Sequence, residues 1–155
     1  MLFVTIRGRV RRQHPDDGGR LLTRAKVRDA GPDASAEQPE GTEKFYTALV
    51  DTGATTSAVQ GDLARELGFK SVAKRLMDAP HGEKETKFYE LDMTLPGGLV
   101  FYGVHAAELD GLKGIDIVIG MDIMRNSFLM MSGRRQRFWI FFPRRFVVPR
   151  SLSSF

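Results

Sequence analysis

Residues 44–57 read KFYTALVDTGATTS and bear most directly on the fold. The first seven residues are a nearly continuous apolar and β-branched run, which is the pattern expected for a strand buried on both faces. The run leads directly into Asp51, Thr52 and Gly53, so an acidic side chain emerges from the core where the strand ends. Asp-Thr-Gly alone is a weak signal, because average composition produces it by chance in about a few per cent of chains of this length. Its position after a buried strand is what makes it informative.

A second stretch later in the chain has the same character. Residues 115–120 read IDIVIG and predict another buried strand that ends in glycine. The last four residues of this stretch are Ile117, Val118, Ile119 and Gly120. Residues 121–126, MDIMRN, then predict one or two helical turns.

Most of the remaining chain consists of strand-like runs bounded by turn residues. The predicted strands cover residues 2–10, 20–28, 70–77, 85–95, 99–106, 128–131 and 137–142. One further short helix is predicted over residues 61–68, where the apolar residues have helical spacing and Gly68 can end the helix. We therefore predict a mostly β fold, a closed or partly closed β-barrel with one or two short helices.

The composition is that of one ordinary globular domain, with 42% hydrophobic and 27% charged residues in a chain of 155. We assign residues 1–155 to this single domain. Residues 29–42 carry no large apolar side chain and predict an exposed loop, and residues 143–155 predict a basic C-terminal extension. The chain has no cysteine, which excludes disulfides, zinc-thiolate sites and cysteine nucleophiles.

The sequence shows no targeting or membrane segment. No apolar stretch approaches the roughly 20 residues needed to span a bilayer. The N-terminal apolar run contains Arg7 and does not reach the length of a signal-peptide core. We therefore expect a cytoplasmic protein.

Positive charge is concentrated near the C-terminus. The formal net charge is +4, and no acidic residue follows Asp122. The arginines in this region are Arg125, Arg134, Arg135, Arg137, Arg144, Arg145 and Arg150. Such a strip can bind nucleic acid or an acidic partner, or it can be a solvated face. We favour the solvated face because no nucleic-acid-binding motif accompanies the strip, and nucleic acid stays open as a partner.

The two motifs together resemble those of the retroviral-type, or retropepsin-like, aspartic proteases, here as a non-viral, single-domain member. The resemblance covers about residues 45–142. It implies a barrel of the retropepsin-like acid protease type, with Asp51 as the catalytic residue and Thr52, Gly53 and Ala54 as the rest of the active-site loop. It also implies that residues 117–120 pack beneath this loop as structural support.

The resemblance further implies a homodimer, because the chain contains only one Asp-Thr-Gly. Two carboxylates about 3 Å apart cannot both be ionised and share a proton, so one can deprotonate a water while the other polarises the peptide carbonyl. In this family Thr52 would bond across the two-fold axis, and Gly53 would let the substrate backbone approach. The expected substrate is a protein or peptide, and no metal or cofactor is expected.

Other expectations concern pH and the covering of the site. Ala54 cannot donate the hydrogen bond that a serine there would give the carboxylate, which predicts activity at mildly acidic pH. A flap is expected at the turn containing Pro80, His81 and Gly82, and the alternative is an ordinary hairpin turn.

The chain departs from the viral pattern near the dimer interface. Thr55 and Met121 stand where the viral enzymes carry a paired acid and arginine. Residues 1–6 or 138–142 would then either pair across the axis or serve as core strands of one subunit.

Parts of the sequence also match two other functions. Asp51, Gly53 and Thr55 also match the phosphate loop of actin-like kinases, but that fold needs two lobes and considerably more chain. A retropepsin-fold module that dimerises or binds peptides without catalysis is the alternative that the sequence leaves open.

Overall fold

The computed structural model describes residues 3–11, 19–34, 42–79 and 82–143. Ten strands and two short helices are found in these ranges. The elements in chain order are β1 Phe3–Arg11, β2 Arg20–Asp29, β3 Tyr46–Val50, β4 Ala58–Gln60, α1 Gly61–Glu66, β5 Ser71–Ala79, β6 Gly82–Leu95, β7 Leu99–Leu109, β8 Ile117–Ile119, α2 Met121–Met124, β9 Phe128–Ser132 and β10 Arg137–Pro143. The mostly β fold with two short helices is confirmed.

All ten strands belong to one sheet, in the order β5-β6-β7-β4-β8-β3-β2-β1-β10-β9. An additional pairing of β6 with β2 closes part of this sheet into a ring. The ring consists of β2, β3, β8, β4, β7 and β6, and β5 and the β1-β10-β9 group extend from it. The predicted partly closed barrel agrees with this arrangement.

The seam that closes the ring carries an ion pair whose carboxylate is buried. Arg28 of β2 and Asp92 of β6 are in register, and the arginine Nη2 donates to Asp92 Oδ2 at 2.6 Å. Asp92 is buried, and its Oδ1 accepts a bond from the backbone N–H of Gly103 at 3.1 Å. A buried carboxylate needs such partners to offset its desolvation, so the pair fixes how β2 meets β6.

The core follows from the alternation of side chains along the strands. In β2, Thr23, Ala25 and Val27 point inward while Arg24 is exposed. The strands β3 and β8 supply Ala48, Val50, Ile117 and Ile119, all buried in the main hydrophobic cluster. The two short strands β3 and β8 are therefore buried, as the apolar runs in the sequence predicted.

The strands β1 and β10 pair with each other, with Ile6 opposite Ile140. Ile6, Phe138, Ile140 and Phe142 are buried in the main cluster. A Cβ on Gly8 would lie 2.1 Å from the ring of Phe138, so only glycine fits where β1 crosses that ring. Of the two alternatives for these terminal segments, the structure favours core strands of one subunit.

Several predicted segments lie partly outside the described residues. The predicted exposed loop over residues 29–42 begins at the last residue of β2, the buried Asp29, and residues 35–41 are outside the description. Residues 144–155 of the basic extension are also outside it. In the described ranges, no helix is long and apolar enough to cross a membrane.

Candidate active site

The two motifs found in the sequence lie side by side. The strands β3 and β8 are parallel neighbours, with Leu49 opposite Val118 and Val50 opposite Ile119. The backbone N–H of Asp51 continues the ladder by donating to the carbonyl of Ile119 at 3.0 Å. Asp51 therefore begins a loop at the end of a strand whose neighbour is the aliphatic run of the second motif.

The loop of residues 51–54, here called the Asp51 loop, is a tight turn. Asp51 Oδ1 accepts a hydrogen bond from the backbone N–H of Gly53 at 2.9 Å, and the Ala54 N–H donates to the Asp51 carbonyl at 3.2 Å. Asp51 is half-buried, whereas Thr52 and Gly53 are exposed at the tip. The carboxylate is thus held in one orientation while the tip of the loop stays accessible.

The first residues of α2 form hydrogen bonds with the last residue of the Asp51 loop and with the residue that follows it. The backbone N–H of Met121 donates to the Ala54 carbonyl at 2.8 Å, and that of Asp122 donates to the Thr55 carbonyl at 3.2 Å. Gly120 lies against the loop so closely that a Cβ there would be 2.7 Å from the carbonyl carbon of Thr56 and 2.9 Å from the Ala54 oxygen. Main-chain bonds from Met121 to Ala54 and from Asp122 to Thr55 therefore join the two segments that contain Thr55 and Met121.

A buried side-chain pair reinforces this contact. Ser57 is fully buried, and its Oγ donates to Asp122 Oδ1 at 2.7 Å while accepting from the Gly120 N–H at 3.0 Å. The Ser57 N–H donates to Asp122 Oδ2 at 3.0 Å. Neither Ser57 nor Asp122 was predicted from the sequence to have this role. The available signal was an acidic residue two positions after the glycine of the second motif.

The family model described as aspartyl protease matches residues 39–123, which is more than half of the chain. The chain belongs to the aspartyl protease family. The matched region contains both the Asp51 loop and the contacts that α2 makes with it.

Two solved structures are similar to this aspartyl protease family member, and the first of them shows its fold. The crystal structure of a retropepsin-like aspartic protease from Rickettsia conorii superposes with a TM-score of 0.56 and 14% sequence identity, covering 91% of this chain and 93% of that chain. The solution structure of the simian foamy virus (mac) protease gives a TM-score of 0.45 and 17% identity, over 67% of this chain and 91% of that chain. The fold is retropepsin-like. A comparison with curated protein sequences gives no match.

A cavity of about 740 Å³ lies beside the Asp51 loop of this family member. The hairpin β5–β6, the strand β7 and the helix α2 form its walls, with Thr56 at the side of the loop; Asp51 itself does not line it. The cavity offers apolar surface from Leu76, Met77, Phe88 and Ile123. This arrangement suits an extended chain lying between the hairpin and the loop.

The turn expected to form a flap falls between β5 and β6 in the chain. The two strands pair from Ser71 opposite Tyr89 to Ala79 opposite Gly82, so the hairpin itself is present. Gly82 has φ 109, a conformation that favours glycine. Pro80 and His81 lie outside the described residues.

A tyrosine–carboxylate pair joins β6 to β7. The Tyr89 hydroxyl donates to Glu108 Oε2 at 2.5 Å. Burial of the phenol and then this bond to Glu108 raise the pKa of Tyr89 above its ordinary value. In the described ranges, no three His, Asp or Glu side chains converge as a metal site would require.

Proposed function

We propose that this chain is an aspartic endopeptidase, formed as a single retropepsin-like domain over residues 1–155 that acts as a homodimer. The observation that carries the proposal is the Asp51 loop. It holds an intact Asp-Thr-Gly at the end of a buried strand, with Asp51 Oδ1 oriented by the Gly53 N–H at 2.9 Å. The exposed Thr52 and Gly53 leave room at the loop tip for a second copy and a substrate.

The proposed chemistry uses the Asp51 carboxylates of two copies. Held about 3 Å apart, they cannot both be ionised, and the pair shares one proton. The unprotonated carboxylate removes a proton from a water, whose oxygen attacks the peptide carbonyl carbon, while the protonated one donates to the carbonyl oxygen. Collapse of the tetrahedral intermediate breaks the C–N bond as a proton reaches the leaving nitrogen.

The surface proposed for dimerisation is the edge strand β9. Phe128, Leu129, Met130 and Met131 are 63%, 38%, 52% and 58% exposed, although all four are large and apolar. An apolar edge strand that stays this exposed among the described residues favours pairing with another chain. The strand β9 also starts only a few residues after α2, which contacts the Asp51 loop. Antiparallel pairing of β9 with its copy would therefore bring a two-fold axis close to that loop.

The substrate is proposed to lie in the cavity beside the Asp51 loop, covered by the β5–β6 hairpin as a flap. Leu76 and Met77 of the hairpin face this cavity, and Gly82 near the tip adopts a glycine-favouring conformation. Closing such a hairpin would exclude water from the peptide bond under attack. We propose that Pro80, His81 and Gly82 of the flap and the Asp51 loop are the parts of the site that touch substrate.

The test is cleavage of an unstructured protein, casein, between about pH 4 and 7. We expect cleavage by the wild type, and loss of cleavage both in Asp51→Asn and on addition of a pepstatin-type transition-state analogue. Sedimentation of Asp51→Asn serves as the control, because the variant should remain dimeric. If a confirmed wild-type dimer cleaves neither casein nor a peptide library at any of these pH values, the enzyme assignment is refuted in favour of a non-catalytic dimerisation or peptide-binding module.

A further inference from the structure

One outer face of the sheet carries six arginines, here called the arginine face. They are Arg7, Arg9 and Arg11 of β1, Arg20 and Arg24 of β2, and Arg137 of β10. The strand registers bring them together, because Arg9 is opposite both Leu22 and Arg137, and Arg11 is opposite Arg20. Side chains alternate along each strand, so these residues share the face opposite to the buried core.

The burial of the neighbouring residues confirms which way the face points. Ile6, Thr23 and Phe138 are buried on the inner side, while Arg7, Arg9 and Arg24 are exposed. Successive outward positions of a strand are about 7 Å apart and adjacent strands about 4.8 Å apart. The face is therefore a two-dimensional array of cations, and no single side chain dominates it.

Among the residues that the structure describes, no carboxylate balances the charge on this face. The ion pairs found among the described residues use Lys26, Arg28, Arg65, Lys74, Lys84 and Lys87. No carboxylate in the described ranges lies within ion-pair distance of the arginine face. A groove of about 510 Å³ runs along it, and four of the residues that line the groove are Arg7, Arg9, Arg11 and Arg24. Like charges held this close favour an anionic ligand.

Aromatic rings lie within the same array. Trp139 is half-buried in β10, opposite Arg7 on one side and Met130 of β9 on the other. At the other side of the face, the Arg24 guanidinium lies 5.4 Å from the centre of the Phe45 ring. A flat sheet surface that combines arginines with accessible rings can hold phosphates and stack bases at the same time.

We propose that the arginine face binds single-stranded nucleic acid, with arginines contacting the phosphates and Trp139 stacking on a base. In its described part this face offers no helix or two-stranded ribbon that could enter the groove of a duplex, whereas the bases of a single strand are free to stack, which favours a single strand. Trp139 favours nucleic acid over an anionic membrane, which would use the cations but not a ring in the middle of a strand array. This assignment does not depend on proteolytic activity.

The experiment measures fluorescence polarisation of labelled 12-nucleotide dT and U oligomers with the full-length protein, at several salt concentrations. The test variant is the triple substitution Arg7→Gln, Arg9→Gln, Arg24→Gln. The matched control is Lys70→Gln, Lys113→Gln, Arg125→Gln, which removes the same charge from exposed positions elsewhere. All variants keep Arg144, Arg145 and Arg150, and circular dichroism and thermal unfolding confirm that each is folded.

We expect the test triple to weaken binding strongly and the control triple to weaken it little. The slope of log K against log salt should become less steep by about 2 in the test triple, since each lost phosphate contact removes about 0.7. Trp139→Leu should weaken oligonucleotide binding about tenfold, within the range for loss of one stacked base, and leave binding to heparin unchanged.

Four results would overturn the proposal. They are no oligonucleotide binding by the wild type, equal losses in the two triples, binding to anionic vesicles in preference to oligonucleotides, and an unchanged oligonucleotide affinity in Trp139→Leu. The last of these would assign the arginine face to polyanions in general.

Discussion

Gly120→Ala tests whether contact with the second motif sets the geometry of the Asp51 loop. An added Cβ would meet the Thr56 carbonyl carbon at 2.7 Å, the Thr56 oxygen at 2.8 Å and the Ala54 oxygen at 2.9 Å. Ordinary contacts begin at 3.4 Å, so these backbone atoms would have to move by about 0.5 to 0.7 Å. Gly120 has φ −95, which alanine adopts readily, so the effect is steric and owes nothing to backbone preference.

The expected cost has two parts. Overpacking a buried contact destabilises by about 1–3 kcal/mol, and we expect a value near the upper end because backbone cannot rotate away. A displacement of about 1 Å in a catalytic group costs about 10²-fold in rate, so the half-ångström shift predicts a 10- to 100-fold fall in kcat for casein cleavage. Urea unfolding and initial rates measure the two effects separately.

Gly133→Ala is the matched control, because nothing lies within 4 Å of a Cβ at that position. It should retain wild-type stability and activity. The contacts by which Gly120 and α2 hold the Asp51 loop are here called the clamp. Wild-type stability in Gly120→Ala would refute this clamp whatever the activity of the variant, because the clash is independent of catalysis. A large loss of stability with unchanged kcat would instead refute the link between this contact and the chemistry.

Three further predictions follow from contacts described above. Ser57→Ala removes a bond to the Asp122 carboxylate and leaves the Gly120 N–H without its acceptor. We expect the free energy of unfolding, measured with urea, to fall by about 3 kcal/mol. The exposed control Ser71→Ala should lower it by less than about 0.5 kcal/mol. Leu129→Lys with Met131→Lys places like charges on β9 and should convert dimer to monomer in sedimentation equilibrium, whereas Val72→Lys should not; a persisting dimer would exclude β9 as the interface. Tyr89→Phe addresses pH: since the folded pKa of Tyr89 is raised, the wild type should lose stability as pH rises above the unfolded value of 10.0, and the variant should have a flatter unfolding curve from pH 9 to 11. Identical slopes would contradict the raised pKa.

The long strands and both helices could be predicted because their signals are local. The apolar runs ending at Val50 and Ile119 mark buried strands wherever they occur. The strand β4, Ala58–Gln60, was missed because its three residues follow the loop directly and become a strand only by pairing with β7 and β8. A partly closed barrel was predicted, but the strands that close it were not, since Arg28 of β2 and Asp92 of β6 are 64 positions apart and their register is set by the assembled sheet.

In the candidate site too, the features with a local sequence signal could be predicted, and those that depend on distant residues could not. The Asp-Thr-Gly motif and Gly120 were recognisable because each stands at the end of a buried run. The part played by Asp122 depends on Ser57, 65 positions away, and on the helix that carries the acid against the loop. Similarly, the alternating Arg7, Arg9 and Arg11 were visible in the sequence, but only the strand registers add Arg20, Arg24 and Arg137 to the same face.

The clamp on the Asp51 loop is made entirely within one chain, through Ile119, Gly120, Met121 and Asp122. Each subunit therefore carries a finished half of the proposed site before it meets another. Assembly would supply the second carboxylate without having to reshape the first. Activity would then depend on the protein concentration. Below the dissociation constant of the dimer, the activity rises with the square of the protein concentration, and dilution alone is enough to abolish it.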